Sequence, residues 1–275
     1  MLATATPAPA TYDHLDVTTR PVADEITEAL AALPAPPSPQ ELSAHATQQT
    51  GHGLRINVLG PIEIDGLPRG DIPLSRRSTE LLVYLALRGK ATGPELDEAL
   101  WHGQRVDNQT RNSLVYRTRQ RVGADNLPLA DAAGLYRLGA GVTCDWHEFR
   151  ALARQGLASG PDGVDALRAA LNLVRNRPLL GIAGADYTWA EHDIQQMISA
   201  AADTAHIVSA LLLETGDHRG ALDAAIHGLL AEHISDLLHQ DAIAAAQASG
   251  DSLEAHRLAA RFEAMLEELD PEFAG

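Results

Sequence analysis

The fifteen residues Asn108–Val122 (NQTRNSLVYRTRQRV) hold four arginines and no acid, in a chain whose formal net charge is −16. A guanidinium presents a planar fork of donors that matches phosphate oxygens and the O6/N7 edge of guanine. Asn and Gln, also present here, can pair bidentately with adenine. The chemistry open to this segment is recognition of DNA rather than bond making. Surface helices normally interleave charges of both signs, so a basic stretch without acids needs a functional explanation.

At about 100° per residue, Leu114, Val115, Thr118 and Val122 fall within one arc and form the expected buried stripe. Ser113, Tyr116 and Gln120 lie opposite, flanked by Asn112 and Arg117. These five are the expected base readers. Arg119 and Arg121 sit nearer the edges of the stripe, where they could reach phosphates. Arg137, on a following strand, joins them as a phosphate contact. Arg111 points toward the stripe and drops out of the reading set.

The surrounding sequence predicts the elements that hold this helix. Residues 54–64 (LRINVLGPIEI) are apolar and β-branched, broken by Gly60-Pro61, which predicts strand, turn, strand. Residues 78–89 carry apolar side chains at 81, 82, 85 and 86 with helical spacing, and Gly89 supplies the stop. Thr92 is the expected N-cap of a second helix ending near Trp101, and Asn108 that of a third ending at Gly123. Residues 127–138 alternate around Asp131-Ala-Ala-Gly134 and predict a hairpin. The order β-β-α-α-α-β-β fits a winged helix with an N-terminal strand pair.

From Asp145 the chain is nearly all helix, expected at 145–158, 162–175, 187–215, 218–231, 235–249 and 252–269. Gly216-Asp217 recurs as Gly250-Asp251, and Ala221 as Ala255. The offset of 34 residues is the period of tetratricopeptide helix pairs. Two unrelated helical hairpins sharing a Gly-Asp turn would give the same pattern, and either origin yields stacked antiparallel pairs. The expected fold class is therefore mainly α: a winged helix-turn-helix with small β-sheets, followed by an α-helical tetratricopeptide-like domain. The expected domains are an Ala/Pro-rich disordered tail or linker at 1–53, the winged helix at 54–145 and the helical domain at 146–275. Within the tail, 22–33 (VADEITEALAAL) could form one short helix. Trp101, Trp146 and Trp189 lie near element ends, and Trp146 with Phe149 is well placed to seal one domain against the other.

Composition sets the remaining bounds. The 275 residues suffice for about two domains. Hydrophobic content of 45% with only 4% aromatic requires cores of Leu, Ala, Val and Ile. Residues 54–147 carry twelve Lys/Arg against eleven acids, whereas 148–275 carry eight against twenty. Electrostatics thus disfavours nucleic-acid binding by the C-terminal half. One cysteine, Cys144, permits no internal disulfide and fits a reducing cytoplasm. No apolar stretch approaches the roughly 18 residues of a membrane span, so no membrane contact is expected. The start lacks a signal peptide, and a linker-like tract directly after Met1 is compatible with a fragment of a larger protein.

The twelve histidines are scattered, with no i, i+4 pair near a third ligand, so no metal site is expected. There is no Gly-x-x-x-x-Gly-Lys-Ser/Thr loop, no Gly-x-Ser-x-Gly, and a single lysine, Lys90. Glu267-Glu268 reads as solvated charge. No enzyme and no cofactor are expected.

Several short stretches, in order, carry a family resemblance. They are Val58-Leu59-Gly60-Pro61-Ile62-Glu63-Ile64, Leu81-Leu82-Val83-Tyr84-Leu85-Ala86, Leu96-Asp97-Glu98-Ala99-Leu100-Trp101, Val115-Tyr116-Arg117-Thr118-Arg119 and Tyr136-Arg137-Leu138. Pro178-Leu179-Leu180-Gly181, then Trp189 and the Gly-Asp helix pairs, follow. Together, over about 220 of 275 residues, they resemble the module of actinobacterial antibiotic-regulatory proteins. That module is an OmpR-type winged helix followed by a bacterial transcriptional activator domain. The resemblance implies sequence-specific binding of double-stranded DNA through the third helix and wing, and contact with RNA polymerase or another protein through the helical domain. It is compatible with a homodimer. The chain departs from the family in carrying Thr118 where Leu stands between two arginines, and in a wing tip, Asp131 to Gly134, without cations. The module also occurs at the C-terminal end of larger proteins. The alternative expectation is therefore a protein-interaction scaffold that does not bind DNA.

Overall fold

The computed structural model describes residues 53–68, 73–182 and 187–269. Apart from Gly53, the expected tail, including 22–33, lies outside them. The described N-terminal half comprises β1 (Arg55–Asn57), β2 (Glu63–Asp65), α1 (Arg76–Arg88), β3 (Lys90–Ala91), α2 (Gly93–Leu100), α3 (Asn108–Val122), β4 (Tyr136–Arg137) and β5 (Thr143–Cys144). It continues into α4 (Asp145–Ala158), α5 (Val164–Leu171), α6 (Glu191–Glu214), α7 (His218–Gly228), α8 (Asp236–Ala248) and α9 (Ser252–Leu269). The architecture is a mainly α winged helix followed by stacked helix pairs.

β1 and β2 pair antiparallel with Ile56 opposite Ile64, and β5 adds parallel to the other edge of β1. Ser75 caps α1 by accepting from the Ser78 amide at 3.2 Å, and Gly89 ends it in the left-handed region with φ 76°. That conformation suits glycine, which has no Cβ to clash. Thr92 and Glu95 form a reciprocal capping box at the start of α2.

The hairpin expected over 127–138 forms only at its turn. The Asp131 amide donates to the Leu135 carbonyl at 3.1 Å and that of Gly134 to the Asp131 carbonyl at 2.8 Å. The partner of β4 is instead β3, with Lys90 opposite Arg137 and Ala91 opposite Tyr136. A two-residue strand carries no alternation from which it could be read.

The 34-residue recurrence is reproduced bond for bond. Gly216 and Gly250 adopt φ 82° and 81°. The Asp217 amide donates to the Leu212 carbonyl at 2.8 Å, and that of Asp251 to the Ala246 carbonyl at 3.2 Å. The Asp217 carboxylate then accepts from the Gly220 amide, and the Asp251 carboxylate from the Glu254 amide. Glycine ends one helix while aspartate caps the next, so the chain reverses in three residues. Ala221 and Ala255 are both buried. The helices meet closely within and between the pairs: a Cβ on Gly228 would lie 2.4 Å from that of Ala205 on α6 and 2.8 Å from Leu238 Cδ1 on α8.

One expectation is corrected here. Thr188–Glu214, with mean hydropathy 1.3, is long and apolar enough to cross a membrane. In this fold Ile194, Met197, Ala201, Ala205 and Val208 are buried, whereas Ile207, Leu211 and Leu213 are only partly so.

His206 on α6 hydrogen-bonds Asp241 on α8 through Nδ1 at 2.7 Å. That hydrogen bond raises the imidazole pKa above its ordinary value, with the charges of Asp241 and the nearby Asp203 adding to it against burial. A histidine whose folded pKa is raised contributes stability that is full below about 6.5, its unfolded value, and is lost as pH rises through the folded value. The melting temperature is therefore expected to fall between about pH 6 and pH 8 more steeply in the wild type than in His206→Gln. Parallel melting curves across that range check it; identical slopes would refute it.

The two halves are joined by backbone as well as side chains. The Arg175 amide donates to the Leu59 carbonyl at 2.7 Å, Leu179 to Val58 at 2.9 Å and Leu180 to Gly60 at 3.1 Å. Gly60, with φ 155°, lies so close to this segment that a Cβ would stand 3.0 Å from that of Arg175. Val58 and Leu59 in turn donate their amides to the carboxylate of Asp145, the first residue of α4, at 2.8–3.0 Å. Burial raises the Asp145 pKa, and those amides with Arg175 work against the rise. Trp146 and Phe149, also on α4 and both buried, stack with centroids 5.5 Å apart. On the other side Trp189 meets Tyr84 of α1 edge-on at 4.8 Å, and Arg88 bridges to Asp193 at 2.8 Å.

Candidate nucleic-acid interface

Asp107, rather than Asn108, caps α3: its carboxylate accepts from the Thr110 amide at 2.7 Å. Asn108 instead accepts from Arg111 Nη2 at 2.6 Å. Either residue type can cap a helix, and the one that entered in the extended conformation took the position. Arg111, Leu114, Val115, Thr118 and Val122 are buried. Leu114, Val115 and Val122 belong to the apolar core.

Thr118, in the middle of that stripe, is fully buried. Its hydroxyl lies 2.9 Å from both Ser78 Oγ on α1 and the Leu114 carbonyl. Ser78 Oγ is in turn 2.9 Å from Ser75 Oγ. A buried hydroxyl needs a partner, and Ser78 supplies it; the threonine is matched by a serine one helix away.

Arg111 pairs with Asp97 of α2, and its guanidinium lies on Gly93, where a Cβ would stand 2.7 Å from Cζ. It is a strut between α2 and α3, not a reader.

Asn112, Ser113, Tyr116, Arg117 and Gln120 are all exposed, and Tyr116 stands out at 61%. Four of them, with Gln109, line an open concavity on the outer face of the helix. Gln109 is missing from the sequence-based set, although its spacing of three and four residues from Asn112 and Ser113 was the available signal. Arg117 donates through Nε to the Ser113 carbonyl at 3.1 Å. Asn112 Oδ1 accepts from the hydroxyl of Tyr136, on β4, at 3.3 Å.

The three expected phosphate contacts are engaged within the protein. Arg119 donates through Nε to the Leu127 carbonyl at 3.1 Å, and Arg121 through Nη2 to the Pro73 carbonyl at 3.4 Å. A guanidinium has five donors, so the bond to Leu127 does not exhaust Arg119. Arg137 forms an ion pair with Asp131. The Leu135 amide first, then that of Ala133 and the Arg137 side chain, hold the Asp131 carboxyl below the usual range. Arg137, the cation nearest the turn at Asp131 among the described residues, is thus faced by an acid.

Burial pushes the Cys144 thiol up to about 12, the opposite of an activated nucleophile. His227 meets the Val174 carbonyl at 2.8 Å and His239 the His233 carbonyl at 2.9 Å. Among the described residues no three His, Cys, Asp or Glu side chains gather to hold a metal ion.

No family model and no curated protein matches the chain. Among solved structures it is similar to Mycobacterium tuberculosis EmbR, solved in complex with a low-affinity phosphopeptide. The TM-score is 0.58 at 18% identity, over 79% of this chain. The chain spans 60% of the length of that structure. At this identity the likeness is one of fold.

Proposed function

We propose that the chain is a DNA-binding transcriptional regulator of the actinobacterial antibiotic-regulatory type, working in the cytoplasm. One observation carries the reading: Asn112, Ser113, Tyr116, Arg117 and Gln120 share one exposed face of a helix whose opposite face is locked into the core. Such a face suits the major groove, where Asn, Gln and Arg address base edges. Arg119, Arg121 and Arg137 stand at the flanks of this face, where they approach phosphates. The acidic helical part is repelled by DNA and is left for a protein: RNA polymerase, another partner or a second copy of the chain. The fold shared with EmbR supports this reading.

Anisotropy titrations with genomic duplex fragments test it. Binding is expected to weaken with salt, and Arg117→Ala to cost about 1–3 kcal/mol, roughly 5- to 150-fold. Salt-insensitive binding, or affinity unchanged by Arg117→Ala, would overturn it.

A second reading is a scaffold that binds only proteins, and which would belong to a longer chain. The Asp131–Arg137 ion pair favours it, since it removes positive charge where a wing meets DNA. Co-purification of a stable protein partner without nucleic acid would distinguish it.

A further inference from the structure

We propose that Asn112 turns its amide donor to DNA, oriented so by Tyr136, and that it selects guanine over adenine. The inference rests on the DNA-binding reading above and names the base at one position of the site.

A free asparagine recognises adenine with both ends of its amide: Oδ1 accepts from the N6 amino group while Nδ2 donates to N7. In this protein the Tyr136 hydroxyl donates to Oδ1 at 3.3 Å; the oxygen keeps a second lone pair, but the bond draws it toward β4 and away from the pose that meets adenine with both ends. Tyr136 cannot follow the amide outward. Its side chain is buried, and its backbone is paired in β4 with Ala91 opposite. A buried phenol keeps its hydrogen bond, since losing it without a substitute is costly. With Oδ1 turned to the wing strand, Nδ2 is what Asn112, an exposed residue, has for a base. Guanine offers two adjacent acceptors in the major groove, O6 and N7. Adenine sets its N6 amino group, a second donor, against Nδ2 beside its single acceptor.

Arg117 works in the same sense. Its Nε is spent on the Ser113 carbonyl, so its two terminal nitrogens remain, again donors. The centre of the reading face is thus biased toward bases rich in acceptors.

Selection from a randomised duplex pool, with sequencing of the bound fraction, tests this on the full chain. Asn112→Ala marks the position concerned by flattening its base preference. There the wild type is expected to favour guanine over adenine by roughly fivefold or more. Tyr136→Phe frees Oδ1, and the ratio is expected to fall by a similar factor or reverse, at that position alone. A wild type that enriches adenine there, or a Tyr136→Phe protein that folds and keeps the wild-type ratio, would overturn the inference and leave DNA binding standing. Should Tyr136→Phe unfold, Asn112→Asp decides: an acceptor-only side chain should shift the preference to cytosine, whose N4 donates, and retention of guanine would overturn the inference. A wild type that enriches no sequence would overturn this inference and the reading beneath it together.

Discussion

Asp145→Ala is expected to lower stability by about 3 kcal/mol, a fall in melting temperature of roughly 6–12 °C for a unit of this size. The carboxylate is 1% exposed and accepts from the amides of Val58 and Leu59, both fully buried. Alanine leaves those two donors without a partner in a place water does not reach. Each such orphan costs about 1–3 kcal/mol. Relief from burying a charge, visible in the raised Asp145 pKa, offsets part of the loss and keeps the total near the lower sum. Asp145→Asn retains one acceptor oxygen and carries no charge, so it should lose less than alanine. Calorimetric melting of both variants checks the order; alanine melting within about 2 °C of wild type would show that the junction does not depend on this residue. The effect should reach both halves at once, since the same residues dock Arg175 to Leu180.

Arg111→Ala is expected to cost about 2–4 kcal/mol, measured by urea unfolding. The substitution strips Asp97 of its partner and empties the space above Gly93. Breaking a fully buried pair costs about 3–5 kcal/mol; the Asp97 side chain is 22% exposed, which lowers the figure. Asp97→Ala in addition should restore part of the loss, because no uncompensated carboxylate then remains. A single variant as stable as wild type would mean that α2 and α3 are held together by their apolar contacts alone. The variant also separates two roles of arginine in one helix. Arg111→Ala should weaken DNA binding only in proportion to unfolding, whereas Arg117→Ala should weaken it in a protein of unchanged stability.

Much of the fold was legible along the chain. The stripe at 114, 115, 118 and 122 follows from the helical period, and those residues are buried. The Gly-Asp recurrence marks two turns of the same construction because both residue types act within four positions of themselves. The short strand β3 was not legible, for two residues have no period, and so the partner of β4 was misassigned. Separate motifs around Gly60-Pro61 and Pro178 to Gly181 gave no sign that they are two sides of one junction.

The sequence by itself determined the order of the elements, the side of α3 that turns inward and the acidity of the helical part. These are properties of periodicity and composition, carried by neighbours in the chain. Only the tertiary structure decided what the four arginines of Asn108–Val122 are for. Arg111 is taken by Asp97, fourteen residues away, and Arg121 meets a carbonyl forty-eight residues away. Arg119 meets a nearby loop carbonyl and Arg117 its own helix. The same holds for Asn112, whose Oδ1 accepts from a tyrosine on β4, twenty-four residues away. A guanidinium or an amide has several polar atoms, and which partners they meet depends on distances between elements. Those distances appear only once the elements have packed.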